Sequence, residues 1–327
     1  MIVLVVILML LLLFVLAVYV IYCICFGQYR EKYPEDDIEQ QMPKGPAYDV
    51  FKDVIERGIR NVVEDKEYEP VEITSLDGLK LHGRYYHRKD GAPLVIFFHG
   101  YRANIYRDGS GIYSYSKKNE FNLLLVNQRS QGLSEGKTIT FGVMERHDCK
   151  SWVEYAVNRF GKDIKIDIFG LSMGAATVMM AADVGLPENV KGILADCGFS
   201  SPKEILCAVM ESLKLPSKML YPLARLGAKW FGQFDLEEVS ALESMKNCNI
   251  PVLLVHNEGD DFVPYWMSKK CYEVCSSPEK NLVTVQGVGH GLSWCLEPQK
   301  YKEAMDEFFE KTLTIGKIVK NEEYRLD

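Results

Sequence analysis

The first 26 residues after the initiator carry no charge, and the rest of the chain lacks several other features whose absence narrows its function. No basic stripe runs along any segment, and the formal net charge is -7 from 38 Lys and Arg against 45 Asp and Glu. A nucleic-acid binder needs clustered cations to neutralise phosphates, so that class is excluded. No glycine-rich phosphate loop and no HExxH-like metal spacing are present, so neither a cofactor nor a metal is expected. The nine cysteines have neither the density of a disulfide scaffold nor the spacing of metal ligands, and they read as free thiols.

What is present starts with the leader. Ile2 to Phe26 is an uncharged run rich in Leu, Ile, Val and Phe, long enough at 1.5 Å per residue to cross a hydrocarbon core of about 30 Å. It has no basic n-region, it exceeds the usual signal-peptide core, and no small-residue cleavage site follows it. A membrane anchor over residues 1–27 is therefore expected, with no catalytic group in it. Arg30 and Lys32 follow the span and nothing basic precedes it, which points the bulk of the chain to the cytoplasm. Residues 28–65 read as a linker with a lead-in helix at Tyr48 to Glu64. A domain follows over 66–315, and 316–327 form a tail.

Within the domain, Asp77-Gly78 between Val71 to Ser75 and Leu79 to Arg88 is a hairpin signal. Apolar runs then alternate with helical stretches: Pro93 to Phe98, Asn122 to Asn127, Lys165 to Phe169, Val190 to Ala195, Pro251 to His256 and Asn281 to Val285. That rhythm predicts an α/β fold with a mostly parallel eight-stranded sheet and flanking helices. Ser201 to Lys246 has no convincing strand, and it reads as a small helical cap after the sixth strand. Its apolar residues, Met210, Tyr221, Trp230 and Phe231 among them, are expected to wall an acyl pocket.

The chemistry-bearing motif is Gly170-Leu171-Ser172-Met173-Gly174, directly after one strand and before a run of small residues. Strand, G-x-S-x-G and helix together form the context of a nucleophile elbow. A serine hydroxyl attacks at neutral pH only if a base takes its proton, so an oriented histidine must follow. His290, in Gly287-Val288-Gly289-His290-Gly291 after the last strand, is the expected base. Asp260, in the turn after Pro251 to His256, is the expected acid, with Asp261 and Asp196 as the other positions open to that role. The oxyanion donors are expected to be the backbone N–H groups of Met173 and Tyr101. His99, His82, His87, His147 and His256 read as structural.

These segments, with Phe98-His99-Gly100-Tyr101, Arg129, Gly132-Leu133-Ser134-Glu135-Gly136, Thr140-Phe141-Gly142 with Glu145 and Asp148, and Gly289-His290, resemble bacterial α/β hydrolases of the serine-aminopeptidase and esterase/lipase type. The resemblance covers about Val71 to Leu313. It implies the α/β-hydrolase fold and a serine hydrolase acting through an acyl-enzyme, whose substrate is an ester, a thioester or a peptide. Asn127 and Ser130-Gln131 depart from the family pattern and are expected to alter the loop beside the oxyanion hole. Glu145, Asp148 and Trp152 are assigned to packing and loop anchoring. An ester or thioester with an apolar acyl group, a small-molecule or lipid-like substrate, is the leading expectation. A peptidase would need an acidic cluster for a substrate ammonium, for which Asp235, Glu237 and Glu238 are available. A silent membrane-bound binding module is the alternative of another class.

Overall fold

The computed structural model describes residues 1–30, 34 and 37–313. Lys32 and the tail expected at 316–327 lie outside the described residues. In chain order the N-terminal part holds helices α1 (Ile2–Phe26), α2 (Ile38–Gln41), α3 (Pro46–Asp49) and α4 (Lys52–Glu64). The hairpin β1 (Glu69–Thr74) and β2 (Lys80–Tyr86) opens the sheet, followed by β3 (Leu94–Phe98), α5 (Ser110–Asn119), β4 (Asn122–Val126), α6 (Glu145–Phe160), β5 (Ile166–Leu171), α7 (Met173–Ala181) and β6 (Val190–Asp196). An insert then supplies α8 (Pro202–Ser212), α9 (Ser217–Gly227) running on into a π-helical turn at Ala228–Gly232, and α10 (Ala241–Met245). The chain closes with β7 (Val252–Gly259), α11 (Trp266–Val274), β8 (Lys280–Val288), α12 (Ser293–Leu296) and α13 (Pro298–Leu313).

The eight strands form one sheet in the order β1-β2-β4-β3-β5-β6-β7-β8. β2 pairs antiparallel with both β1 and β4, and every pair from β4·β3 onward is parallel. Continuous apolar runs suit this arrangement, because a parallel strand is covered on both faces and has no polar side to alternate with. All five side chains of β3 and of β4 are accordingly buried. One face carries Ile96, Phe98, Trp152, Met173 and Met180, under α6 and α7. The other carries Val95, Phe97, Phe169, Tyr301 and Phe309, under α4, α5 and α13.

The leader is more than an appendage. Its outer turns are exposed, but Val18, Tyr22 and Phe26 are buried in the domain. The Phe26 ring meets Phe141 and Phe234 edge-on at 5.7 and 5.5 Å, and the Tyr22 hydroxyl lies 2.6 Å from Thr138 Oγ1. Beyond the helix, the Gln28 N–H donates to the Lys137 carbonyl and the Tyr29 N–H to that of Ser130. The last turns of the expected anchor are thus part of the domain core.

Candidate active site

β5 delivers Ser172 at the head of α7. The residue sits at φ 56° and ψ -114°, a region costly for a side chain and stable only when the surroundings impose it. Two contacts impose it here. A Cβ on Gly174 would lie 1.9 Å from the Phe98 carbonyl oxygen, and one on Gly170 would lie 2.1 Å from that of Gly174. Only glycine at both positions lets the turn close this tightly against β3. The Ser172 N–H donates to the Asp196 carbonyl at 2.8 Å, which leaves the hydroxyl at the C-terminal edge of the sheet.

That hydroxyl lies 2.7 Å from His290 Nε2, and His290 Nδ1 lies 2.8 Å from Asp260 Oδ2. The three expected residues therefore stand in one hydrogen-bonded chain. Asp260 Oδ1 accepts from the N–H groups of Phe262 and Val263, both at 2.9 Å. Its other oxygen also faces His256 Nε2 at 3.4 Å. Burial disfavours the charged carboxylate, yet His290 and His256 outweigh it and hold the pKa of Asp260 below the usual range. For His290 burial disfavours the imidazolium, but the Asp260 carboxylate outweighs it, so its pKa is raised. Of the two other acids, Asp261 is exposed. Asp196 is occupied elsewhere, accepting from Ser293 Oγ at 3.0 Å and Tyr301 Oη at 2.9 Å, and burial lifts its pKa to about 6.

The loop after β3 passes over Ser172 so closely that a Cβ on Gly100 would come within 3.3 Å of Ser172 Cβ. The N–H groups on either side of Tyr101 are taken by side chains: Gly100 donates to Asp108 Oδ2 at 2.8 Å and Arg102 to Gln131 Oε1 at 2.6 Å. Met173 is the first residue of α7, where an N–H has no acceptor within its own helix. Gln131 therefore holds the loop beside Tyr101, whereas Ser130 turns its hydroxyl to the Thr138 carbonyl at 2.8 Å. His99 is fully buried, its Nδ1 2.8 Å from the Gly100 carbonyl and its Nε2 accepting from Gln128, a structural role. Arg129 makes paired bonds to Asp148 and to Asp77, and Glu145 receives the N–H groups of Thr140 and Gly142, which anchors the loops as expected.

Sequence reasoning missed Asp108, Tyr48 and His256 as parts of this neighbourhood. His256 had a legible signal, since it ends the strand that delivers Asp260. Tyr48 had none, because it belongs to the lead-in segment, where its hydroxyl donates to the His290 carbonyl at 2.9 Å. Burial pushes the Tyr48 hydroxyl up to about 12, against the opposing pull of Arg107.

A cavity of about 310 Å³ opens at Ser172 and His290. Its apolar wall comes from Val54 and Ile55 of α4, Ile112 of α5, Phe169 and Leu171 of β5, and Trp294 of α12. None of its lining residues comes from Ser201 to Lys246. The expectation that the insert walls the pocket is thus corrected, and the lead-in segment takes that place. The insert instead receives the leader: Gly227 of α9 sits where a Cβ would lie 3.0 Å from Tyr22 Cβ. The acidic cluster available for a peptide ammonium is already paired, Asp235 with Arg225 and Lys229, Glu237 with Arg225 and Lys203, and Glu238 with Arg146.

The sequence model of the prolyl oligopeptidase family matches residues 138–316, more than half of the chain. The chain belongs to the prolyl oligopeptidase family. Among curated relatives, the uncharacterized protein YqkD of Bacillus subtilis is 27% identical over 282 residues, covering 86% of this chain and 88% of the relative. The thiohydrolase aneE of Aspergillus aculeatus is 36% identical over 137 residues, 41% of this chain and 42% of its own. Among solved structures, the Pyrococcus furiosus esterase Pf2001 superposes with a TM-score of 0.61 at 23% identity, covering 76% of this chain and 93% of that one. As a member of this family with the α/β-hydrolase fold, the protein is a serine hydrolase acting on a small-molecule substrate.

Proposed function

We propose that the protein hydrolyses an ester or thioester with an apolar acyl group through an acyl-enzyme on Ser172. The observation that carries this reading is the hydrogen-bonded chain from Ser172 through His290 to Asp260 at the mouth of the apolar cavity. His290 takes the serine proton as the hydroxyl attacks the acyl carbon, then returns it to the departing alcohol or thiol. Asp260 fixes the ring with Nδ1 protonated and stabilises the imidazolium. The developing oxyanion is received by the N–H groups of Met173 and Tyr101, each such donor contributing about 3 to 4 kcal/mol where measured. Water then attacks the acyl-enzyme by the same route in reverse.

The acyl chain fits beside Val54, Ile55, Ile112 and Phe169. The paired state of Asp235, Glu237 and Glu238 weighs against an aminopeptidase reading. The apolar helix α1 supports a membrane anchor, and Arg30 and Lys32 after it support a cytoplasmic active site. A panel of p-nitrophenyl esters and thioesters of rising chain length, run beside aminoacyl p-nitroanilides, tests the substrate class. Turnover of the anilides alone would overturn it, and failure of a fluorophosphonate to label Ser172 would overturn the mechanism.

A further inference from the structure

We infer that the helical insert after β6 is a bilayer-docking platform, with the exposed face of α9 resting on the acyl boundary of the membrane that α1 enters. The inference rests on the reading of α1 as a membrane helix, and adds a second, independent contact with lipid.

The first observation is the division of labour around α9. At 100° per residue, Ser217, Tyr221, Ala224 and Ala228 fall on one side, and all four are buried. Met219, Leu223, Leu226 and Trp230 fall diametrically opposite. Met219 is 72% and Trp230 51% exposed, an apolar stripe turned away from the core. Lys218, Arg225 and Lys229 occupy one flank of that stripe, and α1 occupies the other, packed at Gly227 and against Phe231. Arg225 and Lys229 on that flank are paired with Asp235 and Glu237, so it is the exposed apolar stripe ending in a tryptophan that gives the helix the composition of one lying in the plane of a membrane interface.

The second observation is continuity with the anchor. Trp230 meets Phe14 of α1 edge-on, ring centroids 6.5 Å apart, and Phe14 belongs to the exposed part of the leader. Where α1 leaves the protein, the stripe begins.

The test uses the full-length chain reconstituted in phosphatidylcholine and phosphatidylglycerol vesicles, with and without acyl chains brominated near the glycerol end, and reads tryptophan quenching. Trp230→Phe keeps a ring against Phe14, so the fold is preserved while the reporter is removed. A Leu8→Trp substitution in that background reports on the anchor alone. If the inference holds, bromolipid quenching in the wild type falls by more than half in Trp230→Phe and returns with Leu8→Trp. Quenching that Trp230→Phe leaves unchanged, with Leu8→Trp still quenched, overturns the platform and leaves the anchor standing. Absence of quenching at both positions overturns the anchor reading, and the platform with it.

Discussion

The hydroxyl of Tyr48 donates to the backbone carbonyl of His290 at 2.9 Å, across 242 residues of sequence. The segment between the leader and the sheet is thereby fastened to the loop that carries the proposed base. Around this clasp, Ala47 Cβ would lie 2.9 Å from a Cβ on Gly289, so the strap and the glycine-rich loop are in close contact.

Tyr48→Phe removes one hydrogen bond to the histidine loop while keeping the ring. A bond of this kind contributes about 1 kcal/mol, which corresponds to a fall of about fivefold in kcat if the loop is its beneficiary. Steady-state kinetics with one p-nitrophenyl ester checks this, and an unchanged kcat with a lowered Tm would assign Tyr48 to stability alone.

Ser172→Ala abolishes fluorophosphonate labelling and lowers kcat by a factor on the order of 10⁴ to 10⁶. The far-UV spectrum and Tm stay close to wild type, because the hydroxyl supports no core contact. His290→Ala is about as damaging.

The proposed base, His290, must be neutral to take the serine proton, so on this reading activity falls as the pH drops through its pKa. That pKa is raised, the Asp260 carboxylate outweighing the effect of burial, which sets the acid limb of kcat/KM above the ordinary imidazole value of about 6.5. The stability linked to the same shift has the opposite sense. It is fully present below about 6.5 and is lost as pH rises through the folded value. Asp260→Asn removes the raising charge and moves the acid limb to lower pH, while kcat falls by about 10⁴. A limb that stays in place would reassign the orienting acid.

Deletion of Met1 to Ala17 removes only exposed turns and leaves a stable, active enzyme. Extending the deletion through Phe26 strips Val18, Tyr22 and Phe26 from the domain. Each large side chain lost from a buried position costs roughly 2 to 3 kcal/mol, so Tm falls by on the order of 10 °C. It also removes the carbonyls of Ile24 and Cys25 that hold Arg102 and the Tyr101 hydroxyl at 2.9 and 2.8 Å, and kcat falls with it. Differential scanning fluorimetry and ester turnover on the two truncations distinguish these outcomes.

Ile55→Ala lengthens the cavity and Ile55→Trp blocks it. With each buried methylene contributing about 0.8 kcal/mol, the first shifts kcat/KM toward the longer of two acyl esters by up to about fourfold per added methylene. The second shifts it toward the shorter. Met210→Ala, in the insert, leaves the ratio unchanged. Equal effects from both sites would return the pocket wall to the insert.

The central strands were legible because parallel strands covered on both faces are predominantly apolar, and all eight strands lie within three residues of where composition and the Asp77-Gly78 turn place them. Ser172, Asp260 and His290 were legible because each sits in a short local pattern beside a strand end. Tyr48 and Asp108 were not, since their contacts join segments with no common periodicity. The insert was misjudged for a related reason. Composition reveals that Trp230 and Phe231 must cover something, but whether the neighbour is a substrate or the leader is decided by tertiary packing.

The clasp between Tyr48 and His290 also sets an order of events during synthesis. At roughly 5 to 20 residues per second, the strap leaves the ribosome some 12 to 48 seconds before the histidine loop it grips. Until that loop arrives, Ser172 lacks its proposed base, and the cavity lacks the wall formed by His290 to Leu292. On the proposed mechanism the nascent chain therefore stays inert while its apolar leader finds its place, and gains hydrolytic power only once the His290 loop, close to α13, has emerged.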